Sequence, residues 1–182
     1  MITEREAAGI LADRGLGREQ ARQLLLTGAA GPGERLGRVT AYDEDGVRAL
    51  AARPFVAERA LAERCPHGLY VARVQRGRRV PYDQPWEVRA AALRVQPRLT
   101  EMTRALVLGV PLAVRGGIPW VATVSGFVVL AATVTGVGVA GDGATEFELG
   151  PAGEWCGAVQ DRWFPTGPGR HWWVWDPARL PQ

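Results

Sequence analysis

Four side chains have the softness to hold a transition metal: Cys65, His67, Cys156 and His171. Together they make the donor set of a tetrahedral zinc site. Cys65-Pro66-His67 is an unusually tight pair, however, and the other two stand far along the chain. Buried thiols packing as small hydrophobes, with ordinary surface imidazoles, are the expected state, so neither a metal nor a cofactor is expected. Ser125 is the single serine, in Thr123-Val124-Ser125-Gly126, and no neighbouring histidine is evident as its base. Gly136-Val137-Gly138-Val139-Ala140-Gly141 spells the G-x-G-x-x-G fingerprint after a plausible strand. That chemistry needs a helix to begin at the pyrophosphate, and Asp142-Gly143 with the strand-like run to Gly150-Pro151 leaves no room for one. No constellation supports an enzyme. What remains is anion recognition by arginine. Arg18 and Arg22 lie at i, i+4, where like charges repel slightly, a cost that is tolerable if the face meets an anion.

The elements that position these arginines lie between Thr3 and Pro54. Thr3-Glu4-Arg5-Glu6 is a capping box, and Ala7, Ile10, Leu11 and Arg14 follow at helical spacing. Gly15 and Gly17 bracket a tight turn. A second helix, 18–27, turns Ala21, Leu24 and Leu25 inward and Arg18 and Arg22 outward. Gly28 stops it, and Gly31-Pro32-Gly33 leads into a short ribbon carrying Arg35 and Arg38 and closed by Tyr42. Asp43 or Asp45 then caps a third helix with Val47, Leu50 and Ala51 inside, ended by Pro54.

Helix, turn, helix, basic ribbon, helix is the order of a winged helix-turn-helix, and the residues resemble the MerR-type and excisionase-type DNA-binding domains. The matching pieces are Glu6-Ala7-Ala8, Arg18-Glu19-Gln20-Ala21-Arg22, the run from Gly28 to Arg35, and Ala41-Tyr42-Asp43-Glu44-Asp45-Gly46-Val47-Arg48-Ala49-Leu50. The resemblance covers less than a third of the chain, and its specificity lies in the order of short motifs. It implies that the second helix enters the major groove of double-stranded DNA through Arg18, Glu19, Arg22 and Gln23. Arg35 and Arg38 would grip the flanking backbone from the wing, with Tyr42 at the ribbon's end counted in the same interface. Two departures stand out. Gly17 replaces the small hydroxyl residue that usually precedes the second helix, and no long dimerising coiled coil follows the third.

The formal net charge of +3 over 182 residues excludes a general polyelectrolyte. Its distribution says more: residues 1–50 hold seven Arg and eight acidic residues, net −1; 51–115 hold twelve and five, net +7; 116–182 hold three and six, net −3. The basic band thus follows the candidate reading head, where it can hold phosphates or simply be a solvated surface. All 22 basic residues are Arg, which together with abundant Ala, Gly and Val is the composition of GC-rich, actinobacterial-type genomes. Two cysteines are too few for a disulfide framework, and the N-terminus shows no apolar signal core. A cytoplasmic protein is expected.

After the head, 55–64 reads as a helix stopped by Cys65-Pro66, and 69–74 as a strand. Arg76-Gly77-Arg78-Arg79 makes a basic turn after which Val80-Pro81-Tyr82 can return as a partner strand, giving a hairpin whose tip offers Arg76, Arg78 and Arg79 as phosphate contacts. Pro85 opens a helix that runs to Pro97, and 99–108 is another. The uncharged run 118–140 is long enough to span a bilayer. Its glycines and its alternation of Thr and Ser with Val and Ala predict instead two buried strands, 120–124 and 127–135. Residues 145–149 alternate as a half-exposed strand, and 171–175 suit a final one. Trp155, Trp163, Trp172, Trp173 and Trp175 crowd the last 28 residues, as an aromatic pocket, a core or a dimer seam.

The expected fold is α+β: a winged helix-turn-helix at 1–54, then an α+β domain at 55–182. The latter divides into a basic helical and hairpin part, 55–115, and an antiparallel, Trp-containing sheet part, 116–182. The expected function is a cytoplasmic, sequence-specific transcription regulator, a homodimer whose second part dimerises or senses a small-molecule effector or protein partner. The alternative is a protein-interaction or ligand-binding module that uses the helical head for docking.

Overall fold

A computed structural model describes residues 1–75, 78, 80–164, 166 and 171–179. Local signals hold at the start. β1 (Ile2–Thr3) runs into α1 (Glu4–Ala12), where Thr3 Oγ1 accepts from the Glu6 N–H at 3.3 Å and the Glu6 carboxylate accepts from the Thr3 N–H at 2.8 Å. Those hydrogen bonds to the ionised form hold the Glu6 carboxyl below its ordinary range. Gly15, at φ +74°, turns the chain into α2 (Arg18–Leu25). Gly17 cannot cap with a side chain, and the Gln20 amide oxygen accepts its N–H at 2.9 Å instead. β2 (Glu34–Leu36) and β3 (Val39–Tyr42) form the ribbon, and β1 pairs with the other edge of β3, Ile2 opposite Tyr42. Asp43 is the residue that caps α3 (Glu44–Ala52), accepting from the Gly46 N–H at 3.1 Å. Gly46 itself is forced: a Cβ there would sit 2.3 Å from the Ala30 carbonyl oxygen.

The rest is built on six strands in the order β5-β8-β7-β6-β4-β9. They are β4 (Leu69–Arg73), β5 (Val95–Gln96), β6 (Ile118–Val124), β7 (Phe127–Val139), β8 (Thr145–Pro151) and β9 (Trp172–Trp175). The uncharged run is therefore two strands, joined at Ser125-Gly126 with φ +53° and +87°, the left-handed pair that a two-residue hairpin turn requires. Among the described residues no helix is long and apolar enough to cross a membrane.

Two expectations are corrected here. The sheet is mixed, not antiparallel, because β4 and β6 run parallel with Val71 opposite Val121. A parallel pair needs a long crossover, and the chain between them carries α5 (Trp86–Leu93), β5 and a helical stretch. That stretch comprises α6 (Glu101–Thr103), a π-helical segment (Arg104–Gly109) and α7 (Val110–Arg115). Nor does Val80-Pro81-Tyr82 return against β4, whose two edges are taken by β6 and β9. The Tyr82 N–H instead donates to the Thr27 carbonyl at 3.0 Å, tying the crossover to the end of α2.

The sheet is covered on both faces. Tyr70, Ala72, Trp120 and Ala122 point into one apolar cluster that continues through Leu93 and Leu108 to Leu24, Leu25 and Leu50 of the head. Leu69, Val71 and Val121 point the other way, against Leu61 of α4 (Glu58–Arg64), Cys65, Val159 and Trp175. Head and sheet thus share one core, and β4 joins 55–115 to 116–182 in a single sheet. Trp163 is the joint. It is buried, its indole N–H donates to the Leu50 carbonyl at 3.2 Å, and its backbone bonds Pro54 and Val56 at 2.9 and 2.8 Å.

Candidate nucleic-acid interface

α2 is fixed from behind and open in front. Ala21, Leu24 and Leu25 are buried, while Arg18, Glu19 and Arg22 are exposed. Arg22 is not wholly free: its guanidinium lies 3.6 Å from Glu4 and 3.9 Å from Glu19. Arg22 and Glu19 are solvent-exposed and Glu4 is only half-buried, so screening leaves both pairs weak. Arg18 stands without an ion pair among the described residues. The rear edge of α2 leans on the sheet, where Ser125 Oγ donates to the Gln20 carbonyl at 2.9 Å and the Gln23 amide donates to the Gln75 carbonyl at 3.0 Å. Gln23 is therefore half-buried and engaged by the body, unlike its three companions.

Beside α2 the ribbon projects into solvent. Arg35 sits on β2 opposite Thr40, Arg38 lies in the turn between the strands, and both are exposed, as are Leu36 and Val39 around them. A cleft of about 460 Å³ lies between the end of α2, the ribbon and residues 80–84, lined by Thr27, Gly28, Gly33, Arg35 and Asp83 among others. Tyr42 is only 2% exposed, so it supports the ribbon from within and is not placed at the outer surface. Burial pushes its hydroxyl upward, and the charge of Glu4 adds to that.

Arg76 and Arg79 fall outside the described residues. Arg78 is half-buried and donates to the Ala92 carbonyl in the last turn of α5 and to the Val95 carbonyl of β5, and burial lowers its pKa. Its guanidinium thus binds backbone carbonyls within the fold. Other members of the basic band are similarly spent within the fold. Arg89 donates to the Val129 carbonyl and lies over the Tyr82 ring, Arg94 pairs with Glu146 at 3.2 Å, and Arg73 lies over Trp173.

The tryptophans do not converge on one pocket. Trp172 stacks on Tyr70 with centroids 5.6 Å apart, and Trp163 meets Phe127 edge-on at 5.2 Å, both in the first cluster. Trp155, Trp173 and Trp175 belong to the other face of the sheet, the last two against Phe164. β9 alternates its side chains across the sheet, which parts Trp172 from Trp173. Cys65 is buried with its thiol pushed up to about 11, and no group of three or more His, Cys, Asp or Glu among the described residues is arranged to hold a metal. Gly136–Val139 of the dinucleotide-like run belong to β7 and the rest to a hairpin turn into β8, with no helix following.

Two features escaped the sequence reading. Arg14, at the end of the first apolar stripe, lies over Phe55 and Trp163 at 5.1 and 5.9 Å and donates to the Ala51 carbonyl, locking α1 to the joint. The second is an apolar row on the helical stretch from Glu101 to Arg115, whose spacing of four was visible but was cut short at Leu108. No known protein family, curated protein or solved structure matches this chain.

Proposed function

We propose that this chain is a sequence-specific DNA-binding regulator whose N-terminal part acts as a winged helix-turn-helix. The observation that carries the reading is the pairing of an outward α2 surface, Arg18, Glu19 and Arg22, with a projecting two-stranded ribbon bearing Arg35 and Arg38. A helix of α2's length fits the major groove, where arginine recognises guanine edges bidentately. A basic ribbon beside it suits the flanking phosphates, which position the protein without specifying sequence. Such a small head binds tightly when two copies read two half-sites, so the acting species in this reading is a dimer. The body then supplies dimerisation or effector sensing.

One observation favours the docking alternative. Residues 1–50 carry net −1, and Glu4 and Glu19 stand beside Arg22, so the head attracts DNA less strongly than its arginines alone suggest. Selection of binding sites from random duplex DNA tests the choice, with the Arg18→Ala/Arg22→Ala double variant as control. A two-fold symmetric motif that the variant fails to enrich supports the regulator. No enrichment at low salt removes it in favour of docking.

A further inference from the structure

Where the head meets the sheet, a pocket of about 320 Å³ opens to the surface. Its walls come from both sides. Arg14, Leu16 and Gln20 belong to the α1–α2 corner, Ser125 to the β6–β7 turn, and Phe55 and Trp163 to the joint. Small-molecule pockets occupy roughly 300–1,000 Å³, so this one suits a compact ligand. Among the described residues that line it, Arg14 carries the only charge. Its guanidinium is half-buried and fixed by three contacts: Nε donates to the Ala51 carbonyl, and the Phe55 and Trp163 rings lie 5.1 and 5.9 Å away. The two terminal nitrogens have no hydrogen-bond or ion-pair partner among the described residues. Aromatic faces stabilise a cation, but they do not take the N–H groups that lie in its plane. Phe55 also stays 50% exposed, an apolar surface that the chain leaves uncovered at the pocket.

We propose that this pocket binds a small aromatic carboxylate. Arg14 sets the sign of the ligand, and its two free in-plane donors match the two oxygens of a carboxylate. One cation balances one carboxylate, whereas a phosphate monoester would leave charge uncompensated against apolar walls. Leu16, Phe55 and Trp163 set the body of the ligand, since ring surface gains most from ring surface. Ser125 Oγ spends its proton on the Gln20 carbonyl, so its oxygen is left to accept from a ligand hydroxyl or amine. An occupant touches the α1–α2 corner and the β6–β7 turn together, and so bridges head and sheet. The binding is argued without DNA; only its use as the signal that the body senses rests on the DNA reading above.

Titration of the isotope-labelled full chain, without DNA, followed by amide NMR is the test. The probes are phenylacetate, phenylacetamide as its uncharged isostere, acetate as the headgroup alone, and inorganic phosphate as the rival anion. The wild type should bind phenylacetate with a Kd on the order of 0.1–1 mM, at least about tenfold more tightly than phenylacetamide or acetate. The amide signals that move should be those of Gly15, Gln20, Ser125 and Gly126. Arg14→Met should lose the preference for the charged ligand, and Arg14→Lys should recover part of it. Phe55→Ala, at a half-exposed position, should keep the circular dichroism of the wild type and bind phenylacetate about fivefold more weakly. It decides the matter even where Arg14→Met does not fold. The proposal is overturned by equal wild-type binding of phenylacetate and phenylacetamide, by no binding at about 10 mM, or by shifts confined to other parts of the chain. It is equally overturned by a folded Arg14→Met that keeps the preference, by an unchanged affinity in Phe55→Ala, or by phosphate binding this pocket more tightly than phenylacetate. Failure of the DNA selection alters none of these readouts, so the two readings fail separately.

Discussion

The exposed arginines of the head make a quantitative claim about salt. Arg18, Arg22, Arg35 and Arg38 are the four that face solvent on α2 and the ribbon. An arginine at a groove edge displaces a counterion as one on the backbone does, so if each of the four brings its charge against the duplex, log K falls with log salt at a slope of about −0.9 per charge, or about −3.6 for one head. Between 50 and 200 mM salt that is a loss of about 150-fold, rising to about 20,000-fold when two heads bind together. The Arg18→Ala/Arg22→Ala variant keeps two contacts per head, so its slope is about −1.8 and its loss about 12-fold for one head. Releasing Arg22 from Glu4 and Glu19 changes this little, because exposed pairs of that kind contribute about 0–1 kcal/mol. Fluorescence anisotropy of a labelled duplex, titrated at four salt concentrations, reads the slope directly. A flat wild-type slope, or a variant slope within about 0.5 of the wild type, would refute the placing of these side chains against the duplex.

Other consequences can be checked by folding and labelling experiments. Trp163→Ala empties the joint and should cost about 3–5 kcal/mol in urea denaturation; a loss under about 1 kcal/mol would mean that head and sheet do not depend on this contact. Trp163→Phe should cost only about 1 kcal/mol, because the Leu50 carbonyl still accepts from the Arg53 N–H at 3.2 Å. Arg78→Met should lower stability by about 1–2 kcal/mol, as the end of α5 loses its donors, while leaving the salt slope of DNA binding unchanged; a lower slope would return Arg78 to the interface. For Cys65 the buried thiol is raised from 9.0 to about 11, so the fold favours the neutral form. That stability is complete below pH 9 and lost as pH rises through about 11. Urea midpoints at pH 8.5 and 10.5 should therefore fall further for the wild type than for Cys65→Ala, and maleimide at pH 7 should label Cys156 well before Cys65. Equal falls in the two proteins would contradict the burial.

What the sequence made legible was local. The Thr3 capping box, the Asp43 cap, the inward triad Ala21, Leu24 and Leu25, and the β6–β7 hairpin all follow from residues within a few positions of one another. Long-range pairing left no such trace. Nothing near β4 announces that its neighbours are β6 and β9, and Tyr82 gives no local sign that its N–H belongs to Thr27. The same limit applies to the arginines: a side chain that caps α5 and one that faces solvent have identical sequence signatures, so Arg78 and Arg18 read alike. Pro111 hid the length of the apolar row. A proline inside a helical pattern signals a stop, yet here the helical stretch continues through Pro111 to Arg115, with the π segment directly before it.

The position of β4, one strand in from the β9 edge of the sheet, bears on how the chain is made. Val71 pairs with Val121 on one side and with Trp173 on the other, so its second neighbour is encoded roughly a hundred residues downstream. At about 5–20 residues per second, a ribosome needs about 5–20 s to deliver it. For that interval a nascent chain holds Leu-Tyr-Val-Ala with an open edge, a template on which another nascent chain can pair. The sheet gains its last strand only once β9 is synthesised, whereas α1, α2, the ribbon and α3 need only the first 52 residues to assemble their own contacts. Release of a chain cut short before β9 would leave that edge permanently open.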